Sequence, residues 1–155
     1  MRVGMIGLGK LGYPVALAMS AQGHDVCGYD VDEKKHQPRS YVENGRAYLD
    51  RIDFTDLPTL ILKSQIVFVA VQTPHHKKYE GVTPVPVEPK NFDYTYLKKA
   101  IKHIVSHLPE GKDPPLLAII STVLPGTTRE MMNKYIKKRM PVVYNPSFIA
   151  MGTVI

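Results

Sequence analysis

Arg2-Val3-Gly4-Met5-Ile6-Gly7-Leu8-Gly9-Lys10-Leu11-Gly12 runs into an Ala-rich segment ending at Gly23, then into the apolar run Val26–Tyr29 and Asp30. Arg2–Leu8 reads as a buried parallel strand, because its apolar residues are continuous and do not alternate. Gly7, Gly9 and Gly12 have the G-x-G-x-x-G spacing between a strand and a helix, which is the dinucleotide-binding fingerprint in its expected context. Gly7 permits the tight turn, Gly9 admits the backbone close to a pyrophosphate, and Gly12 lets the helix pack against the sheet. The helix N-terminus offers free N–H groups and the positive end of its dipole to phosphates. Pro14 falls in the first turn, where its missing N–H breaks no intrahelical bond. Asp30, about twenty residues after the glycines, is where a carboxylate accepts from both adenosine ribose hydroxyls.

The rest of the chain repeats the alternation of strand and helix. Ile52–Phe54 is a brief strand, and Asp56 caps a short helix reaching Ser64. Ile66–Val71 is continuous and β-branched and ends at Gln72-Thr73-Pro74, as a buried strand does. Asp93 caps an amphipathic helix with Leu97, Ala100, Ile101, Ile104, Val105 and Leu108 on one face. Lys98, Lys99, Lys102, His103 and His107 form its solvated face. Leu116–Ile120 is a third strong strand. Thr127-Thr128-Arg129-Glu130 has capping-box spacing, so a helix is predicted from Thr127 to about Lys138. Val142–Tyr144 is a last short strand. Asp32–Asp50 is read as a loop with a short helix, and His75–Lys90 as an irregular proline-rich loop. The pattern predicts an α/β, Rossmann-type doubly wound parallel sheet with helices on both faces, in one domain spanning residues 1–155.

Bulk properties narrow the function classes. The chain has 155 residues, 44% hydrophobic and 22% charged, enough for one core. The net charge of +6 raises the question of nucleic acid. The lysines are spread over several helices without a recognition motif, so no nucleic-acid partner is expected, and the basic bias suits phosphorylated ligands. No apolar stretch approaches a membrane span and no signal peptide precedes the first strand, so a cytoplasmic protein with no membrane partner is expected. The single cysteine, Cys27, lies inside a strand and reads as a buried small hydrophobe. His75 and His76 have no further Cys or His at ligand spacing, so no metal is expected.

Four stretches together carry a resemblance: Gly7–Gly12 with Asp30; Val69-Ala70-Val71-Gln72-Thr73-Pro74; Ser121-Thr122-Val123-Leu124-Pro125-Gly126-Thr127; and Asn145-Pro146-Ser147-Phe148-Ile149-Ala150-Met151-Gly152. The chain resembles the NAD-binding N-terminal domain of the UDP-glucose/GDP-mannose dehydrogenase family. Such enzymes oxidise the C6 alcohol of a nucleotide sugar to a carboxylate in polysaccharide biosynthesis, using two NAD molecules per sugar. The resemblance implies NAD contacts at Gly7, Leu8, Gly9, Lys10, Leu11, Gly12, Asp30, Lys35, Thr73 and Thr122. It also gives Thr122 a supporting catalytic role. Thr73 and Thr122 follow the carboxyl ends of predicted strands, where open α/β sheets bind ligands. By position alone, Lys35 is a surface lysine.

Two departures qualify the resemblance. Ser147 and Met151, the substrate-side candidates, stand where the family usually has glutamates, and neither side chain can act as a carboxylate base. In relatives the nucleophilic Cys, and the Lys and Asn that stabilise the oxyanion, lie later in the chain. The chain is therefore expected to be a cofactor domain from a longer protein, unable to turn over by itself. The whole protein would be a homodimer acting on a nucleotide sugar. A β-hydroxyacid dehydrogenase shares a similar glycine-rich opening but not a motif like Asn145-Pro146-Ser147-Phe148, and a non-enzymatic NAD-binding module is a further alternative.

Overall fold

The computed structural model describes residues 1–43, 46–48, 51–79, 81–82, 84 and 88–147. Its main sheet is built from β1 (Arg2–Ile6), β2 (Asp25–Tyr29), β5 (Asp53–Phe54), β6 (Ile66–Val69), β7 (Leu116–Ile119) and β8 (Val142–Tyr144). They lie in the order β5-β2-β1-β6-β7-β8, and every pairing is parallel. The predicted doubly wound sheet is therefore what forms. The chain winds outward from β1 in one direction and from β6 in the other. This makes the β1/β6 boundary the switch point, where a crevice opens at the carboxyl edge.

Each face of the sheet has its own core. On one side α1 (Gly12–Ala21) places Tyr13, Ala16 and Leu17 on Val3, Met5, Leu8 and Val26. On the other, α2 (Leu57–Lys63) and α3 (Thr95–Ser106) bury Leu60, Ile61, Leu97, Ile101 and Ile104 against Val67, Val69 and Leu117. These central positions are fully buried, which explains why the strands are continuous apolar runs. Asp56 caps α2 as predicted, its Oδ1 accepting from the Thr59 N–H at 2.8 Å. Asp93 is not the cap of α3 as predicted: the N-cap is Tyr94, without a side-chain cap, and Asp93, one residue earlier, accepts from the Thr95 N–H at 2.8 Å in an Asx turn. α1 ends in a Schellman motif: Gly23, at φ +84°, donates to the Ser20 carbonyl, and His24 donates to that of Met19.

Other local expectations are corrected. The stretch read as a loop with a short helix holds a 3₁₀ turn at Glu33–Lys35 and also an antiparallel hairpin, β3 (Tyr41–Glu43) with β4 (Arg46–Tyr48). The Asn44-Gly45 dipeptide between them is a hairpin signal that the proline and glycine content obscured. The predicted helix 127–138 is an α-helix only over α4 (Thr127–Met131) and continues as a π-helical turn over Met132–Ile136. Met131 and Ile136 are both buried and five residues apart. An α-helix would set them about 140° apart, whereas an i→i+5 turn stacks them on one face. Nor is Thr127 the N-cap: Gly126 occupies that position, without a side-chain cap, and the Thr127 hydroxyl is used elsewhere. No helix of the described residues is long and apolar enough to cross a membrane.

Candidate functional site

The turn out of β1 is shaped by close backbone contact. Gly7 has φ +93°, and a Cβ there would stand 2.7 Å from the Ala70 carbonyl oxygen. A Cβ on Gly12 would stand 1.8 Å from the Gly7 carbonyl oxygen, so α1 can start only on a glycine. Gly9 differs: a Cβ there would meet nothing within 4 Å. No protein packing demands a glycine at this point, so the open space in front of it is available to a ligand. Gly9, Lys10 and Leu11 keep N–H groups without partners among the described residues, at the positive end of α1.

Asp30 directly follows β2 and is 7% exposed. Its Oδ2 accepts from the Leu8 N–H at 2.8 Å and its Oδ1 from the Asp32 N–H at 3.0 Å. Leu8 therefore enters the site through its backbone, while its side chain is fully buried in the core. Lys35 Nζ lies 3.3 and 3.2 Å from the two Asp30 carboxylate oxygens. The lysine that reads as a surface residue is thus a partner of the expected ribose acid. His36 Nε2 lies 2.9 Å from the backbone N of Asp30 and 2.7 Å from its carbonyl oxygen, accepting in one tautomer and donating in the other.

Arg39 is a site-supporting residue for which the sequence carried no signal. Its guanidinium lies 3.6 Å over the Tyr13 ring, and its Nη2 donates to the Leu8 carbonyl at 2.9 Å. Its backbone N–H donates to the Tyr13 hydroxyl at 2.7 Å. The loop after β2 is thereby clamped onto the glycine turn.

In front of this turn lies a cavity of about 620 Å³, lined by Gly7, Gly9, Asp30, Lys35 and Gln72, and by Tyr96, Lys99 and His103 of α3. Lys99 and His103 belong to the face read as solvated. They are exposed, but the fold sets them on the rim of this cavity. Thr73 and Thr122 follow the carboxyl ends of β6 and β7 as expected, outside the cavity lining, with Thr73 half-buried and Thr122 exposed. Lys10 is exposed and Leu11 is the N-cap of α1. Ser147 is half-buried just past β8, on the same edge of the sheet, and Met151 lies outside the described residues. Cys27 is buried in the core on β2. Burial, followed by the nearby Asp53 carboxylate, pushes its thiol pKa up, the opposite of what a nucleophile needs.

These features fit a dinucleotide. The open space at Gly9 adjoins N–H groups without partners among the described residues, and a held carboxylate borders a cavity large enough for an adenosine half. Comparison with known proteins agrees. UDP-N-acetyl-D-mannosamine dehydrogenase of Methanocaldococcus jannaschii is 33% identical over 163 residues, covering 99% of this chain and 36% of the relative. GDP-mannose 6-dehydrogenase of Pseudomonas aeruginosa is 27% identical, covering 100% of this chain and 38% of the relative. A crystal structure of a ternary complex of GDP-mannose dehydrogenase from that organism superposes with a TM-score of 0.77 at 26% identity, over 100% of this chain and 38% of that one. The chain spans little more than a third of the length of these relatives. The model of the NAD binding domain of the UDP-glucose/GDP-mannose dehydrogenase family matches residues 1–155, and the chain belongs to that family.

Proposed function

We propose that this chain is the cofactor domain of a nucleotide-sugar 6-dehydrogenase. In this reading it holds NAD through Gly7–Gly12, Asp30 and Lys35, with Thr73 and Thr122 toward the nicotinamide. The observation that carries the reading is Asp30, a carboxylate fixed by the Leu8 N–H of the glycine turn and bordering the cavity. The turn amides bind the pyrophosphate, Asp30 orients the adenosine ribose, and the carboxyl-edge loops position the far half of the cofactor. NAD supplies a hydride acceptor when bound. Ser147 lies on the substrate side, where it orients by hydrogen bonding but takes no proton as a carboxylate would. The sugar alcohol, the acyl chemistry and a homodimeric state belong to the whole protein, which this reading places in the cytoplasm.

Calorimetric titration of this chain with NAD tests the binding half, and saturable one-to-one binding is expected. NADH formation by the whole protein with UDP-N-acetyl-D-mannosamine, GDP-mannose and UDP-glucose tests the enzymatic half. Absence of NAD binding would overturn the site. Binding without turnover on any nucleotide sugar would leave an NAD-binding module instead.

A further inference from the structure

Thr73 and Thr122 sit on separate loops, and three hydrogen bonds tie those loops into one closed frame. Ser121, 4% exposed, donates through its Oγ to the Val71 carbonyl at 2.7 Å. On the far side of Thr122, the Leu124 N–H donates to the Tyr94 hydroxyl at 3.0 Å. On the far side of Thr73, the Pro74 carbonyl accepts from the Asp93 N–H at 2.8 Å. Asp93 and Tyr94 are adjacent in sequence, so the frame closes through them. Each threonine therefore lies between two tethered points.

Tyr94 is the joint of this frame. It is 7% exposed, directly before α3, whose Leu97, Ile101 and Ile104 are fully buried. Its phenol oxygen accepts from Leu124 and from the Thr127 hydroxyl at 3.4 Å, and it donates to Asn91 Oδ1 at 3.0 Å. One donor and two acceptor positions are thus all in use. The Tyr144 hydroxyl also accepts, from the Val123 N–H at 3.5 Å. Tyr94 does not line the cavity beside Asp30, although Tyr96, Lys99 and His103 of the helix that follows it do.

We propose that Tyr94 is a positioning residue that holds the Thr73 and Thr122 loops at a fixed separation, and so governs the nicotinamide half of the cofactor site without touching the adenosine half. This rests on the reading of the chain as an NAD domain. Without the phenol oxygen, the Leu124 N–H and the Thr127 hydroxyl lose their partner and the loop carrying Thr122 is released from α3.

The test compares NAD with ADP-ribose, which lacks the nicotinamide. Both are titrated calorimetrically into the wild-type chain, Tyr94→Phe and Asn91→Ala, while the Thr73 and Thr122 amide resonances are followed by NMR. Tyr94→Phe is expected to weaken NAD by about five- to tenfold, the scale of one or two hydrogen bonds, and to leave ADP-ribose within about twofold. In the wild-type chain the two threonine amides shift with NAD beyond their shift with ADP-ribose, and in Tyr94→Phe that difference is lost. Asn91→Ala, which removes the exposed acceptor of the phenol proton, acts in the same direction more weakly and decides the matter if Tyr94→Phe does not fold. Equal weakening of both ligands, or no change in either, would overturn the role of Tyr94. A wild-type chain that binds neither ligand would overturn the NAD reading itself, and the role of Tyr94 with it.

Discussion

Lys35 Nζ lies 3.3 and 3.2 Å from the two carboxylate oxygens of Asp30, so the acid that would receive the ribose hydroxyls already carries an ammonium partner. The carboxylate also holds the N–H groups of Leu8 and Asp32, and its orientation is set before any ligand arrives. Lys35 is about a third exposed and can swing aside, whereas the two backbone donors cannot.

Cofactor choice follows from this pair. NAD is expected to bind more tightly than NADP, because a 2′-phosphate would meet the Asp30 carboxylate. Asp30→Ala is expected to weaken NAD by about 1–3 kcal/mol, the scale of hydrogen bonds to a charged group. Lys35→Met leaves the carboxylate without its cation, so the ratio of NADP to NAD dissociation constants should rise. Calorimetric titration of both cofactors checks this, and equal affinities in the wild-type chain would remove Asp30 from its assigned role.

Gly9 and Gly12 should fail for different reasons. Gly9→Val places its side chain in open space, so the thermal midpoint should stay within a few degrees while NAD binding is lost. Gly12→Ala drives a methyl group into the Gly7 carbonyl and is expected to cost about 3 kcal/mol of folding stability, read from urea denaturation. Normal NAD affinity in Gly9→Val would reduce the glycines to turn residues.

Arg39 couples the loop after β2 to the glycine turn. Arg39→Ala removes a guanidinium stacked on Tyr13 and a bond to the Leu8 carbonyl, with an expected loss of about 2 kcal/mol. Tyr13→Phe keeps the stacking and should cost less. Denaturant titration of both variants orders them, and an Arg39→Ala variant as stable as the parent would show that the clamp contributes nothing.

Cys27 predicts a pH dependence. Burial, with Asp53 beside it, holds the folded thiol above its ordinary value of 9.0, so the folded state binds the proton more tightly than the unfolded chain. The stability from this group is full below pH about 9 and is lost as the pH rises through the folded value. Urea midpoints measured from pH 8 to 10.5 should fall more steeply for the wild-type chain than for Cys27→Ala. The native thiol should react slowly with a thiol reagent and quickly once unfolded.

Local pattern alone determined the strand-turn-helix opening. Continuous apolar runs mark strands buried on both faces, and glycine spacing marks a turn that side chains would block, so neither needs knowledge of distant residues. The Asp56 cap was legible for the same reason, since donor and acceptor lie three residues apart. The parallel, doubly wound character of the sheet, with Asp30 after its second long strand, followed from the alternation of elements, whereas the order of the strands came with the tertiary structure. The hairpin β3–β4 and the π-helical turn were not legible, because a two-residue turn signal and a five-residue packing demand compete with stronger nearby patterns. Tertiary structure alone decided which side chains meet. Tyr94 reaches Leu124 across 30 residues, and Tyr13 reaches Arg39 across 26. It also brought Lys99 and His103 of a solvated helix face to the rim of the cavity. Periodicity records how deeply a residue is buried but not what it touches, and a hydrogen bond between distant residues exists only once the sheet has fixed their loops.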